Sequence, residues 1–114
     1  METKGGPVIQ KSYDLLKYMI GVLKKFPRDQ RFLLGDRIQG LLMDIQSNLI
    51  ITFYSEKNQK RSLLKDVNLK IEQLRWFIRL SYELGYIDSR RHNFIALQIN
   101  EIGKMVGGWS KYLK

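Results

Sequence analysis

Two arginines one helical turn apart, Arg75 and Arg79, are the residues in this chain best suited to do chemistry. Arginine is a permanent cation whose planar fork of donors matches phosphate and carboxylate oxygens. Arg61 and Lys65 extend the same flank toward the N-terminus, and Lys104 and Lys111 add cations on the next segment. The chemistry of such a set is anion binding, to a nucleic acid or an acidic partner. A second reading stands beside it. Glu72 lies three residues before Arg75 and Glu83 four after Arg79, so each arginine can pair along its own helix. Such pairs contribute only ~0.2–0.5 kcal/mol each. Pairing and anion binding are compatible, and spacing alone selects neither.

The charge of the whole chain points toward polyanions. Lys and Arg number 20 against 11 Asp and Glu, for a formal charge of +9 over 114 residues. An excess of this size attracts polyanions at long range, and binding through counterion release weakens with salt. The same lysines also solvate a helical surface, which is the plainer use of them.

Catalytic constellations are missing from the sequence. There is no cysteine, so disulfides, thiolate metal sites and thiol nucleophiles are excluded together. His92 is the single histidine and reads as a surface residue near a helix start; multi-histidine metal sites cannot be built. The carboxylates are scattered singly on polar faces and supply no acid/base pair. Neither glycine-rich phosphate-loop pattern occurs. A non-enzymatic protein with no cofactor and no metal is expected. No apolar run of roughly 18 residues is present, and Met1 to Pro7 lacks an apolar signal core. The chain is therefore expected to be soluble and cytoplasmic.

The elements that must position the cations follow from apolar periodicity. Residues 1–7, with Gly5-Gly6-Pro7, read as a flexible lead, and 8–114 as one domain. Ile9, Tyr13, Leu16, Ile20 and Leu23 recur at helical spacing, widened by Leu15, Met19, Val22 and Phe26. Phe26-Pro27 ends this helix. A second begins near Asp29, with Leu34, Ile38, Leu41, Ile45 and Leu49 as its core stripe. Gly35 and Gly40 sit within it and weaken it unless a neighbour approaches closely. Ser55 to Ser62, polar and basic with Lys57, Lys60 and Arg61, reads as a loop or a partly helical connection. Leu64, Val67, Ile71, Leu74 and Ile78 define a third helix that closes near Gly85. Asp88 or Ser89 caps a fourth, whose stripe is Ile95, Ile99, Ile102, Val106, Trp109 and Leu113. Four amphipathic helices with short connections predict an all-α, antiparallel up-down four-helix bundle.

Some apolar residues are left over. Leu69, Trp76 and Leu80 fall away from the third helix's core stripe, and a patch of this kind marks an interface. Self-association is expected, unless Trp76 fills a groove between helices. Gly103, Gly107 and Gly108 precede Trp109 on the fourth helix and call for a packing reason. Without side chains another backbone can come close there; the alternative is a fraying end, against which Trp109, Tyr112 and Leu113 continue the stripe.

These segments resemble a known family. Leu74-Arg75-Trp76-Phe77-Ile78-Arg79-Leu80, Glu83-Leu84-Gly85-Tyr86-Ile87 and Glu101-Ile102-Gly103-Lys104-Met105-Val106-Gly107-Gly108-Trp109 are similar to the accessory variability determinant of diversity-generating retroelements. Phe26-Pro27-Arg28, Arg31-Phe32 and Leu34-Gly35-Asp36-Arg37-Ile38 resemble that family's first turn and second helix. The Phe-Pro turn is shared with a wider group, the four-helix proteins encoded in ribosomal-RNA intervening sequences. The resemblance implies a four-helix bundle that assembles into a homopentameric barrel with a positive surface. It implies binding to the retroelement's reverse transcriptase and to RNA or DNA, in a complex that copies a template-repeat RNA with errors at adenines. The accessory protein is not the catalyst. Arg75 and Arg79 would belong to the basic surface, and Gly103, Gly107, Gly108 and Trp109 would serve packing. Two departures stand out: little chain lies beyond Trp109, and Asp29, Asp36 and Asp44 interrupt the second helix.

The leading expectation is an accessory protein joining a reverse transcriptase to RNA or cDNA. An intervening-sequence-type scaffold with no retroelement role is the alternative; a small enzyme with a bundle-core site ranks behind both. Replacing Arg75 and Arg79 with alanine is expected to weaken nucleic-acid binding and flatten its salt dependence.

Overall fold

The computed structural model describes residues 5–113. Four long helices run through it: α1 (Gly5–Leu23), α2 (Asp36–Phe53), α3 (Lys57–Glu83) and α4 (Ser89–Tyr112). A single helical turn, Arg28–Gln30, and a wider i→i+5 turn, Arg31–Gly35, lead into α2. The main packing runs α1–α2, α2–α3, α3–α4 and α4–α1, so each helix lies against two others in a closed ring. Short connections make successive helices antiparallel. The 27 residues of α3 span about 40 Å at 1.5 Å per residue. They cover nearly the full 43 Å long axis of the molecule.

The core is built from the stripes of α2, α3 and α4 as their periodicity predicts. Ile38, Leu41, Ile45 and Leu49 meet Leu64, Val67, Ile71, Leu74 and Ile78, and Ile95, Ile99, Ile102, Val106 and Trp109 close the other side. Burying each of these large side chains contributes roughly 1.5–3 kcal/mol. α1 differs from the expectation. Its buried side is Val8, Ser12, Leu15, Met19, Val22 and Leu23; of the expected stripe only Leu23 is buried, Tyr13 and Ile20 being exposed and Ile9 and Leu16 half-buried. Both sets have helical spacing. The helix is rotated toward the set that carries Val8 and Met19, with small Ser12 inside.

Three boundaries differ from the sequence reading. Gly5, Gly6 and Pro7 form the first turn of α1 and are not a lead; the remainder of that expected lead, residues 1–4, lies outside the described residues. The reason is packing. A β-carbon at position 5 would come within 2.5 Å of the Trp109 ring and 2.8 Å of Phe53, so glycine lets α1 start against the indole. The loop expected over 55–62 shrinks to the turn before Lys57, because Lys60 folds its stem into the bundle with its ammonium 6.0 Å from the centre of the Trp109 ring. Lysine buries its methylenes readily in this way. Third, α2 is reached through the wide turn at Arg31–Gly35, which leaves Phe32 and Leu33 exposed.

The ends of α3 and α4 are fixed by local hydrogen bonds. Gly85 takes φ +80°, and the amides of Gly85 and Tyr86 donate to the carbonyls of Tyr82 and Ser81. This is the paired closing geometry that a left-handed residue after a helix allows. Asp88 then caps α4, its carboxylate accepting the Arg91 backbone N–H at 2.8 Å. Gly85 and Asp88 thus set the turn that brings α4 back along α3.

Candidate nucleic-acid and partner interface

Arg61, Lys65, Arg75 and Arg79 share one flank of α3, spread over about 27 Å of helix. Neighbouring groups treat them differently. Arg61 donates to the Leu113 carbonyl at 2.9 Å and so ties the start of α3 to the end of α4. Lys65 is exposed. Arg75 pairs with Glu72, and Arg79 Nε lies 3.0 Å from a Glu83 carboxylate oxygen. The Arg79 guanidinium also sits 5.4 Å above the Trp76 ring. Both intrahelical partners anticipated from spacing are therefore engaged. These are surface pairs, and each adds little stability.

Arg75 and Lys104 meet across an open groove of about 520 Å³ between α3 and α4. Glu72 and Glu101 line the same groove, so its four charges balance. A β-carbon at position 103 would lie 3.1 Å from the Arg75 guanidinium. Gly103 therefore lets that side chain lie flat along α4. Glu101 is drawn the other way, pairing with Lys11 of α1. Lys111 is exposed on the last turn of α4, away from Arg79. The six cations thus do not converge on one point: Arg75 and Lys104 share a groove, Arg61 and Lys111 share the end of the bundle near Leu113, Arg79 stands with Trp76, and Lys65 is exposed by itself one turn after Arg61.

The glycines of the C-terminal motif separate by role. Trp109 is fully buried, and Gly103 makes the close approach just described. Gly107 and Gly108 do not serve packing within this chain: a β-carbon at either would meet nothing within 4 Å, and the same holds at Gly40. Helical spacing puts 107 and 108 outside the buried Ile102–Val106–Trp109 stripe, which explains the difference.

The outer face of α3 is apolar. Leu69 is 60% exposed, Trp76 63% and Leu80 41%, so Trp76 does not fill a groove between helices. All three lie on the side of α3 turned from the core.

Another cationic place escaped the sequence reading. Where the start of α4 meets α1, Arg90, Arg91, Asp88, Tyr18 and Phe94 line a pocket of about 390 Å³. Tyr18 and Phe94 are in ring contact, with centroids 4.9 Å apart and planes tilted by 57°. Among the described residues, neither arginine forms an ion pair; the Asp88 carboxylate is turned to its own helix as the cap. The available signal was the lack of a glutamate or aspartate at three or four residues from Arg90, and Arg91's only such neighbour being the capping Asp88. On the α3 side of α4, His92 stacks on Tyr82, with ring centroids 4.4 Å apart.

Among the described residues, no group of three or more His, Asp and Glu is arranged to hold a metal. No helix there is long and apolar enough to cross a membrane. Fold and surface together define a basic, antiparallel four-helix protein. The chain belongs to the bAvd-like family, whose model matches residues 8–113. No curated protein matches the chain.

Proposed function

We propose that this protein is the non-catalytic accessory subunit of a diversity-generating retroelement. It acts in the cytoplasm as an oligomeric basic platform that binds the element's reverse transcriptase and its template RNA or cDNA. Membership of the bAvd-like family over residues 8–113 carries this reading. The formal charge of +9 supports the nucleic-acid half of it. The exposed Leu69, Trp76 and Leu80 support the protein half, because an apolar strip of this kind is normally covered by a partner. In this reading the strip joins copies of the chain into a pentamer. The flanking Arg61, Lys65, Arg75, Arg79, Lys104 and Lys111 face the polymerase and the nucleic acid.

The direct test is co-purification with the reverse transcriptase encoded beside its gene, in the presence of the template RNA at low salt. Retention of both is the expected result. A folded protein that retains neither contradicts the proposal.

A further inference from the structure

The sites where cations are exposed are not equivalent, and one of them has aromatic rings built into it. We propose that the pocket between α1 and the start of α4 is a nucleotide site for single-stranded nucleic acid. Arg90 and Arg91 would hold backbone phosphates, and Phe94, with Tyr18 behind it, would stack a base. The inference rests on the nucleic-acid half of the proposed function and adds a location and a mode of binding to it.

Three observations lead to this site. Its arginines have no ion-pair partner among the described residues, whereas Arg75 and Arg79 each have a glutamate in place. A phosphate arriving at Arg90 and Arg91 displaces only water; one arriving at Arg75 or Arg79 must compete with an existing carboxylate. Second, the pocket carries net positive charge, two arginines against one Asp88 carboxylate that is already engaged as the cap of its own helix.

The third observation is the ring pair. Phe94 is 44% exposed beside two guanidinium groups, an apolar face left open to solvent in a charged setting. Tyr18 supports it from α1 and fixes its orientation. Stacking on an aromatic ring with cations alongside is how proteins hold single strands without reading their sequence. The volume of about 390 Å³ lies in the range of small-ligand clefts, roughly 300–1,000 Å³. A duplex hides its bases and cannot stack this way, so the site distinguishes single from double strands.

The test is fluorescence anisotropy with labelled oligouridylate, oligothymidylate and an RNA duplex, using the full chain. Native protein is expected to bind both single strands more tightly than the duplex. Arg90→Ala with Arg91→Ala should weaken single-strand binding about a hundredfold, since removing each charge-assisted hydrogen bond costs about tenfold. It should also flatten the salt dependence by about 0.7 for each phosphate no longer neutralised. Phe94→Leu keeps the apolar volume and removes the ring; it should weaken binding about tenfold with the salt slope unchanged. Phe94→Trp should restore binding and gain fluorescence quenching on adding oligouridylate, relative to native protein. Native protein that binds none of the three at low salt ends the nucleic-acid reading itself. Native protein that binds, with both variants folded and unchanged in affinity, overturns this site and leaves that reading standing.

Discussion

Two arginine pairs on this bundle present the same side chains in opposite states. On α3, Arg75 and Arg79 each hold a glutamate, and one also lies over an exposed tryptophan. At the α1–α4 edge, Arg90 and Arg91 hold no carboxylate among the described residues and flank an aromatic pair. The comparison shows that a cation's availability is set by its neighbours at three and four residues, not by net charge. Arg75 and Arg79 on α3 are electrically satisfied beside an apolar strip, as suits a protein surface that covers it. The α1–α4 edge is electrically open and aromatic, as suits a phosphate chain bearing bases.

Breaking the difference should have its largest effect at the edge. The Arg90→Ala, Arg91→Ala double variant removes two charge-assisted hydrogen bonds, each worth about tenfold in oligonucleotide binding. Anisotropy titration at low salt measures the effect, and native oligomer mass should be retained. On the other face, Trp76→Glu puts a charge into the exposed strip. Sedimentation should show dissociation to monomers, while far-ultraviolet circular dichroism shows the helices retained. A monomeric native protein at micromolar concentration would remove the basis for that expectation.

Smaller effects sharpen the boundary between the faces. Gly107→Ala and Gly108→Ala meet open space in the single chain and should each stabilise it by about 0.5–1 kcal/mol in urea unfolding. Destabilisation instead would reveal a close neighbour at that part of α4. The smallest change belongs to Arg75→Ala with Arg79→Ala. Two intrahelical pairs of ~0.2–0.5 kcal/mol each are removed, so stability should fall by less than about 1 kcal/mol. Oligonucleotide affinity should fall less than in the edge variant.

Much of this arrangement was readable from the residues. Three of four core stripes follow directly from period, because Ile, Leu and Val recur on one side of α2, α3 and α4 with few competitors. α1 carries two interleaved apolar sets, and period alone cannot decide between them; the indole of Trp109 and the start of the helix at Gly5 belong to the tertiary fit. Lys60 hid the early start of α3, since a lysine that buries its stem looks like a loop residue in a polar stretch. Both α3 ion pairs were legible as alternatives, because a helix places residues at three and four side by side. The α1–α4 pocket was not, since Tyr18 and Phe94 lie far apart in sequence and meet only when the bundle closes. Hydrophobic period locates a helix face; it does not report which polar groups from another helix will stand beside it.

Salt dependence of single-strand affinity separates the two arginine pairs, compared among native protein, the Arg90/Arg91 variant and the Arg75/Arg79 variant. Native protein should show a negative slope, flattened by about 0.7 for each phosphate released in the edge variant and changed less in the α3 variant. A native slope kept by the edge variant, with the flattening found in the α3 variant instead, would contradict this expectation.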